Sequence, residues 1–469
     1  MHDALIGQSA VNYVYLASAA LFILALKWMG QVKTARRGNW AGTAAMTLAV
    51  LGTLAAGGFD GKGYLLIAVA LVIGAAVGTP MAMIMPMTAV PQRTALSHAF
   101  GGLAAALVGV SEYVERGSEL SPFIAGALAL EMLLGFLTFT GSLMAFAKLQ
   151  EIISTRPIVY PGRNFVSLGT LGIAILSALY LAFVPGAMPV FYVLVATSLL
   201  FGVFLIIPIG GADMPTVIAI LNAYAGLSAS AMGFVLDNKL LIVAGALDGT
   251  SGLILSILMC KAMNRSFANV LFAGVGQVQA GAGAAVSPTG KTITGYSVDD
   301  AKAVLEDTRL VIIVPGYGLA VAQAQHACKE LAEELAKHGT DVKFAIHPVA
   351  GRMPGHMNVV LAEADIPYDQ LWEMERVNPR FAEADAAIVL GANDVTNPAA
   401  RTDKTSPLYG MPILDVDKAR TVIFVKRSLR PGFAGIDNEL FYLDKTMLVL
   451  GDAKAVVTGL IAAFKESGH

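Results

Sequence analysis

Charge is what this chain has least of. Only 14% of its 469 residues are Asp, Glu, Lys or Arg, where a soluble protein of this length carries roughly a quarter, and 56% are hydrophobic. The deficit is confined to one part. Residues 1–265 hold 13 Lys/Arg and 10 Asp/Glu, whereas residues 266–469 hold 19 and 24. The apolar excess therefore belongs to the first part, and the second has the composition of an ordinary globular domain. A net charge of −2 excludes the basic footprint of a nucleic-acid binder. Cysteine is nearly missing: Cys260 and Cys328, one in each part, make neither a metal-ligand spacing nor a disulfide framework. The first apolar run has no basic segment before it and no small-residue cleavage site, so it reads as a retained span rather than a signal peptide. Also missing are a Walker motif, a metal cluster, a nucleophile constellation and a second dinucleotide fingerprint.

What is present in the first part is long hydrophobic runs. A spanning helix needs about 20 mostly apolar residues. Nine runs qualify, at 10–29, 40–58, 64–85, 94–111, 122–147, 164–184, 189–209, 214–236 and 239–260. With the N-terminus outside, the inner loops collect Lys27, Lys33, Arg36, Arg37, Arg93, Lys148, Arg156, Arg163, Lys261 and Arg265, and the outer loops only Lys62, Arg116 and Lys239. That bias obeys the positive-inside rule, and an odd number of spans puts the C-terminal domain in the cytoplasm. Trp28 and Trp40 fall at the inner ends of the first two spans, where interfacial indoles sit. Gly, Ala and Ser are abundant in the spans, which suits close helix packing in lipid. The Met-rich stretch Met81–Met87 reads as interfacial packing.

Polar groups inside the spans are costly if they face lipid, so they should line a bundle interior or a water-filled path. The candidates are His98, Glu131, Asn222 and Asp248. His98 is the only membrane histidine, and histidine is the side chain most easily switched by protons near neutral pH. The alternatives remain open: His98 or Asn222 as a helix–helix hydrogen bond, and Glu131 or Asp248 paired with a group in this or another chain.

The sequence divides into a membrane domain at 1–265, a linker at 266–300 and a soluble domain at 301–469. The stretch 273–292 is Gly/Ala-rich and almost uncharged, as expected of a flexible connection acting as hinge or passive tether. Beyond it, strands and helices alternate. Short β-branched runs at Arg309–Val314, Asp341–Ile346, Ala386–Leu390, Thr421–Val425 and Thr446–Leu450 are each followed by a turn and mostly by a helix, which predicts a parallel, doubly wound Rossmann-like α/β sheet. After the first strand comes Gly316-Tyr317-Gly318, with Val321 at the third glycine position, then a helical face of Val321, Ala324, Cys328, Leu331 and Leu335. In a dinucleotide fold the first glycine permits the tight turn and the second admits the pyrophosphate. The second strand ends in Ile346-His347-Pro348, without the carboxylate that would bind an NAD ribose. Lys426-Arg427-Ser428 ends a later strand, and two cations with a hydroxyl suit a 2′-phosphate, favouring NADP. The alternative is a solvated surface pair. Two further polar loops stand out, Gly391 to Pro398 and His347 to His356. In them Arg352 is a candidate phosphate ligand, Asn397-Pro398 resembles a helix cap, and the histidines resemble satisfied core groups.

Over nearly its whole length the chain resembles the beta subunits of proton-translocating NAD(P) transhydrogenases. The resemblance is carried by Gly211-Ala212-Asp213-Met214-Pro215, Leu221-Asn222-Ala223-Tyr224, Met259-Cys260-Lys261-Ala262-Met263-Asn264-Arg265-Ser266, Pro315 to Gln325, His347 to Asn358, Gly391 to Ala400, Lys426-Arg427-Ser428 and Gly451-Asp452-Ala453-Lys454. It implies a multi-spanning helical membrane domain followed by an NADP(H)-binding domain. It also implies an alpha-type partner of one or more chains that binds NAD(H) and completes the membrane part. Hydride would pass between the two nicotinamides, with inward proton movement, in a dimer of such heteromeric units in the inner membrane, without metal. No side chain need act as acid or base in hydride transfer, since the cofactors carry the chemistry. His98 and Asn222 match proton-path positions, Asp213 a loop near the soluble domain, and Asp394 an acidic coupling residue. Gly316, Tyr317, Gly318, Val321 and Ala322 match the pyrophosphate turn, Lys426, Arg427 and Ser428 the 2′-phosphate site, and Arg352, Gly391, Asn393, Gly451 and Asp452 complete the expected nucleotide site; Glu131 and Asp248 join the proton-path candidates. Two departures are visible. Asp248 stands where an apolar residue is expected, and Met83 to Pro91 lacks expected acidic residues. Two rival readings remain at this stage: a transporter or channel gated by NADP(H) through a regulatory Rossmann domain, and a membrane-anchored NADP oxidoreductase with a lipid-soluble acceptor.

Overall fold

The computed structural model describes residues 7–31, 34–117, 119–155, 157–158, 160–264, 266–267, 270, 294–353, 355–406, 408–432 and 434–467. The chain forms two compact units, Met1–Pro208 with Val217–Ser256, and Ile209–Thr216 with Ile257–His469. The expected linker stretch 273–292 lies outside the described residues.

Nine long helices occupy the first part among the described residues: α1 (Gln8–Met29), α2 (Ala35–Ala56), α3 (Gly61–Met83), α4 (Val90–Arg116), α5 (Pro122–Leu149), α6 (Arg163–Phe183), α7 (Met188–Ile206), α8 (Met214–Val235) and α9 (Lys239–Ala262). Eight are long and apolar enough to cross a membrane; α2 is not, because it opens on Ala35-Arg36-Arg37-Gly38-Asn39-Trp40. It is nonetheless tied to α1, where Ser18 Oγ donates to Ala45 O at 2.6 Å. Helix α5 is the most enclosed, with Leu128, Met132 and Ala145 at its buried positions. Helices approach closely where side chains are small, since a missing Cβ lets backbones meet and gain dispersion contacts. A Cβ on Gly102 of α4 would lie 2.9 Å from Gly135 O of α5. Lys148 is not a free loop cation: it is wholly buried in the last turn of α5, and its Nζ donates to Ile206 O (3.1 Å) and Ile207 O (2.6 Å) at the end of α7. Those carbonyls have no intrahelical donor, so the ammonium caps them.

The globular part is a six-stranded parallel sheet of β1 (Leu310–Pro315), β2 (Asp341–Ile346), β3 (Leu371–Glu373), β4 (Ala386–Leu390), β5 (Thr421–Lys426) and β6 (Thr446–Leu450). Its order is β3-β2-β1-β4-β5-β6. The central strands are buried along their length, as a sheet covered on both faces requires. One face packs on the helices α10 (Val298–Leu305), α11 (Tyr317–Val321), α12 (Gln325–Lys337), α13 (His356–Glu363) and α14 (Ala453–Ser467). The other face is closed by Trp372, Phe381, Leu414 and Phe441, carried largely on short 3-10 turns and irregular chain. Pro398, Pro412, Pro431 and glycines 410, 432 and 435 punctuate that second layer, which is why the connections after β4 and β5 hold only 3-10 turns and the four-residue helix Ala399–Thr402 in place of the long helices expected of a doubly wound sheet. Tyr296 N–H donates to Leu448 O at 2.9 Å, and Ser297 caps α10 in a reciprocal box with Asp300, so the chain is already anchored to the sheet before residue 301.

Candidate functional site

In an open parallel sheet, ligands bind beyond the carboxyl ends of the strands, where the strand order reverses. Here the reversal lies between β1 and β4. The two turns that leave these strands interlock: Gly316 N–H donates to Leu390 O (2.9 Å) and Gly318 N–H to Gly391 O (3.0 Å). Gly391 has φ +70°, and a Cβ there would overlap Gly318 Cα and Leu319 N. A Cβ on Gly318 would come within 2.7 Å of Gly391 Cα. Glycine is thus the residue that lets both turns share one edge. Helix α11 then stops at Val321, because Gln323 adopts φ +48° and the chain turns before α12 starts at Gln325. That kink breaks the expected continuous helical face. Ala324, Cys328, Leu331 and Leu335 are buried, but Val321 is 44% exposed, and Ala322 is half-buried at the turn.

A second pole lies at the ends of β5 and β6. Lys426 closes β5, and Arg427 and Ser428 follow it exposed. Gly451 N–H donates to Lys426 O at 2.9 Å, which brings Gly451-Asp452 beside them. Asp452 caps α14 by accepting from Lys454 N–H at 3.0 Å. Lys426 Nζ donates to Arg430 O (2.6 Å) and sits 4.8 Å from the Phe441 ring centroid. Burial holds its ammonium below the usual lysine value, against the pull of Asp394 and Asp437.

Between these poles the β4 loop is pinned. Asp394 accepts from Ala434 N–H (2.9 Å) and from Asn393 Nδ2 (3.0 Å), and Asn438 Nδ2 donates to Asn393 O (3.1 Å). Asn397 is structural as well as polar: its Oδ1 accepts from Ala399 N–H and its Nδ2 donates to Asp437 O. The loop after β2 adds Arg352, a buried guanidinium 4.4 Å from the Tyr317 ring centroid. His356 accepts from Arg352 N–H at 2.9 Å, and His347 Nε2 bonds Pro412 O at 2.8 Å. Burial pushes both histidines down to about 4, with Arg352 adding to the effect at His356. Both are therefore neutral framework groups at pH 7.

In the membrane part, three polar candidates come together. Asn222 on α8 donates through Nδ2 to Asp248 Oδ1 (3.3 Å) and Asp248 O (3.4 Å) on α9. His98 on α4 lies within hydrogen-bonding reach of the same Asn222. A glycine seam permits this, since a Cβ on Gly249 would lie 3.2 Å from Ala223 O and one on Gly252 2.8 Å from Asn222 Nδ2. Asp248 is exposed on the outside of this chain's helices, whereas Glu131 is wholly buried and apart from the triad. Asp213 occupies the short turn Gly211–Asp213 that leads into α8.

Known proteins with this sequence pattern are unambiguous. The family model described as NAD(P) transhydrogenase beta subunit matches residues 11–463. NAD(P) transhydrogenase subunit beta from Rhodospirillum rubrum, and the same subunit from a named strain of that species, are each 45% identical over 463 residues, which covers 97% of this chain and 99% of the relative. The chain belongs to the NAD(P) transhydrogenase beta subunit family.

For a member of that family, sequence reasoning found the strand ends and the triad's residues but not their neighbours. It passed over Asn438 and Asp437, which organise the β4 and β5 loops, and over the Tyr442 hydroxyl that donates to Asp437. A polar run Asp437-Asn438-Glu439 in the Gly/Pro-rich segment after β5 was the available signal. It also read Lys148 only as a topology marker.

Proposed function

We propose that this chain binds NADP(H) along the carboxyl edge of its sheet and exchanges hydride with NAD(H) held by an alpha-type partner, coupled to inward proton movement through the membrane part. The observation that carries the reading is the shared edge. The glycine-lined β1/β4 turns leave backbone room for a pyrophosphate, and Lys426, Arg427 and Ser428 at the end of β5 present two cations and a hydroxyl suited to a 2′-phosphate. The groups fit the cofactor: Gly316, Tyr317, Gly318, Val321 and Ala322 would flank the pyrophosphate, Arg352, Gly391, Asn393 and Asp394 would border the middle, and Gly451 and Asp452 would close the adenosine end. NADP(H), when bound, supplies the hydride chemistry. The residues' work is to hold, orient and exclude water. Asp394 holds residue 434 of the β5 loop against this edge, so a change at Asp394 would alter access to it.

His98, Asn222 and Asp248 form the proton-responsive cluster in this reading, with Asp213 in the turn that leads into α8. Proton and nucleotide must each favour one of two states for coupling to exist. Asp248 supports a membrane partner, because a carboxylate on an outward helix face at mid-span needs a polar cover. The loop-cation bias supports an inner-membrane protein with its N-terminus outside and its globular domain cytoplasmic, and an exposed apolar α3 supports further helix contacts such as those of a dimer of heteromers.

The test is co-reconstitution with the alpha-type partner in sealed vesicles, following NADH-driven reduction of an NADP analogue and lumenal pH, for wild type and His98→Ala. Reduction with pH change, both impaired in the variant, is expected. NADP binding without NADH-dependent reduction would overturn the reading in favour of a nucleotide-gated transporter.

A further inference from the structure

The triad leaves one intramembrane acid unused. Glu131 lies in the first half of α5 with no surface exposure, and among the described residues neither carboxyl oxygen has a side-chain hydrogen-bond partner, the Gly109 backbone being the polar group closest to it. It is enclosed by this chain alone. From α4, Gly109 lies against it, such that a Cβ there would be 3.3 Å from Glu131 Oε1. From α8, Ser228 Oγ donates to the Glu131 backbone carbonyl at 2.9 Å. A subunit interface therefore cannot be what this carboxyl awaits, in contrast to Asp248.

Three residues beyond Gly109, about 4.5 Å along α4, stands Glu112. It lines a cleft of about 530 Å³ that opens at the ends of three helices, with Arg116 of α4, Ile124 of α5 and Phe234 to Asp237 at the end of α8. Glu112 Oε2 accepts from Arg116 at 3.0 Å, and Glu112 is close enough to act electrostatically on Glu131. The charged group acting on this acid is therefore Glu112 on α4, and the cleft that Glu112 lines also carries its partner Arg116 and, at the end of α8, Asp237. Nothing cationic touches Glu131 itself among the described residues. An enclosed carboxylate without a donor is costly, and a proton removes that cost. The position is thus shaped for an acid that takes up and releases protons, and Gly109 keeps the space for it.

We propose that the Glu131 carboxyl is a proton-binding site loaded from the cleft at the ends of α4, α5 and α8, with Glu112 passing the proton inward. This rests on the proton-translocating reading given above, and it places a relay group between the aqueous phase on the cleft side and the His98–Asn222–Asp248 cluster.

The probe is a hydrophobic carbodiimide applied to the full chain with its alpha-type partner in sealed vesicles. A protonated carboxyl in an apolar setting gives its proton to one carbodiimide nitrogen while its oxygen bonds to the central carbon. Acyl migration to nitrogen then leaves a stable N-acylurea, read by peptide mass. The expected result is label at Glu131 that slows as pH on the cleft side is raised, is absent in Glu131→Gln, and loses part of its pH response in Glu112→Gln. Labelling of other carboxyls without Glu131, or labelling of Glu131 indifferent both to cleft-side pH and to Glu112→Gln, would overturn the proposal. The same vesicles separate the two failures. Proton movement coupled to hydride transfer without pH-dependent label overturns only the Glu131 site, whereas such label without proton movement supports the site and removes the translocation reading.

Discussion

Replacing Gly391 by alanine tests whether the interlocked β1 and β4 turns depend on the missing side chain. Two costs arise. Gly391 sits at φ +70°, and a left-handed residue with a Cβ costs about 1–2 kcal/mol. The new methyl would also overlap Gly318 Cα and Leu319 N, backbone atoms that cannot rotate away, and such overpacking costs about 1–3 kcal/mol. The total is about 2–5 kcal/mol. Gly339 is the internal control: its φ is +88°, but no atom lies within 4 Å of a Cβ placed there, so Gly339→Ala should carry only the first cost. Hydrogen exchange of the full chain in detergent, read on peptides covering Leu310–Pro315 and Ala386–Leu390, measures the opening free energy of both strands. Each 1.4 kcal/mol appears as a tenfold faster exchange. Gly391→Ala should lose more protection than Gly339→Ala, by a factor of about 5 or more for an excess of about 1 kcal/mol. Equal losses would refute the close-approach argument and leave only backbone strain. NADPH affinity should fall in Gly391→Ala and stay unchanged in Gly339→Ala.

Three further perturbations follow from the same geometry. His347 and His356 are held at about 4 by burial, whereas an unfolded histidine titrates near 6.5. The unfolded chain therefore binds more protons in that interval, and the globular unit keeps its full stability above about pH 6.5 and loses it as pH falls toward 4, by up to about 3 kcal/mol per histidine; a thermal midpoint that rises on acidification would contradict this. Lys148→Met leaves the Ile206 and Ile207 carbonyls without their charged donor, so a loss of about 1.5–3 kcal/mol is expected as a lower melting point in detergent, with the β6 peptide unaffected in exchange. Asp394→Ala frees Ala434 N–H and the Asn393 amide, and should raise exchange in the segment 434–442 by the equivalent of about 1–3 kcal/mol; unchanged exchange there would show that the loop is held by other contacts.

The sequence made some elements legible because their signal is local. Strands β2, β4 and β6 stand at the bounds expected from their β-branched runs, and the nine helices coincide with the apolar runs. What escaped is short or depends on geometry. β3 is three residues, Leu371-Trp372-Glu373, too few for an alternation to register. The break at Gln323 follows from a left-handed residue with no glycine to announce it. The thin second face of the sheet was hinted at only by prolines and glycines, which mark the end of a helix without saying what replaces it.

The membrane cluster shows the same limit from the other side. Composition singled out His98, Asn222 and Asp248 as polar groups in apolar runs, but their sequence separations carry no information about distance. The link is Gly245, Gly249 and Gly252, spaced four and three residues apart on α9, which brings that helix against Gly226 and Ala223 of α8 and sets the carboxylate beside the amide. Asn222 Nδ2 donates to Asp248 and the same side chain lies near His98, so a change of charge at Asp248 would be felt at His98 through one rotatable side chain. Asp248→Asn tests that chain of dependence: it keeps the shape and removes the charge, and it should shift the pH dependence of proton-coupled turnover while leaving NADPH affinity of the globular domain in place. A variant whose pH profile matches wild type would show that Asn222 does not transmit the charge of Asp248 to His98.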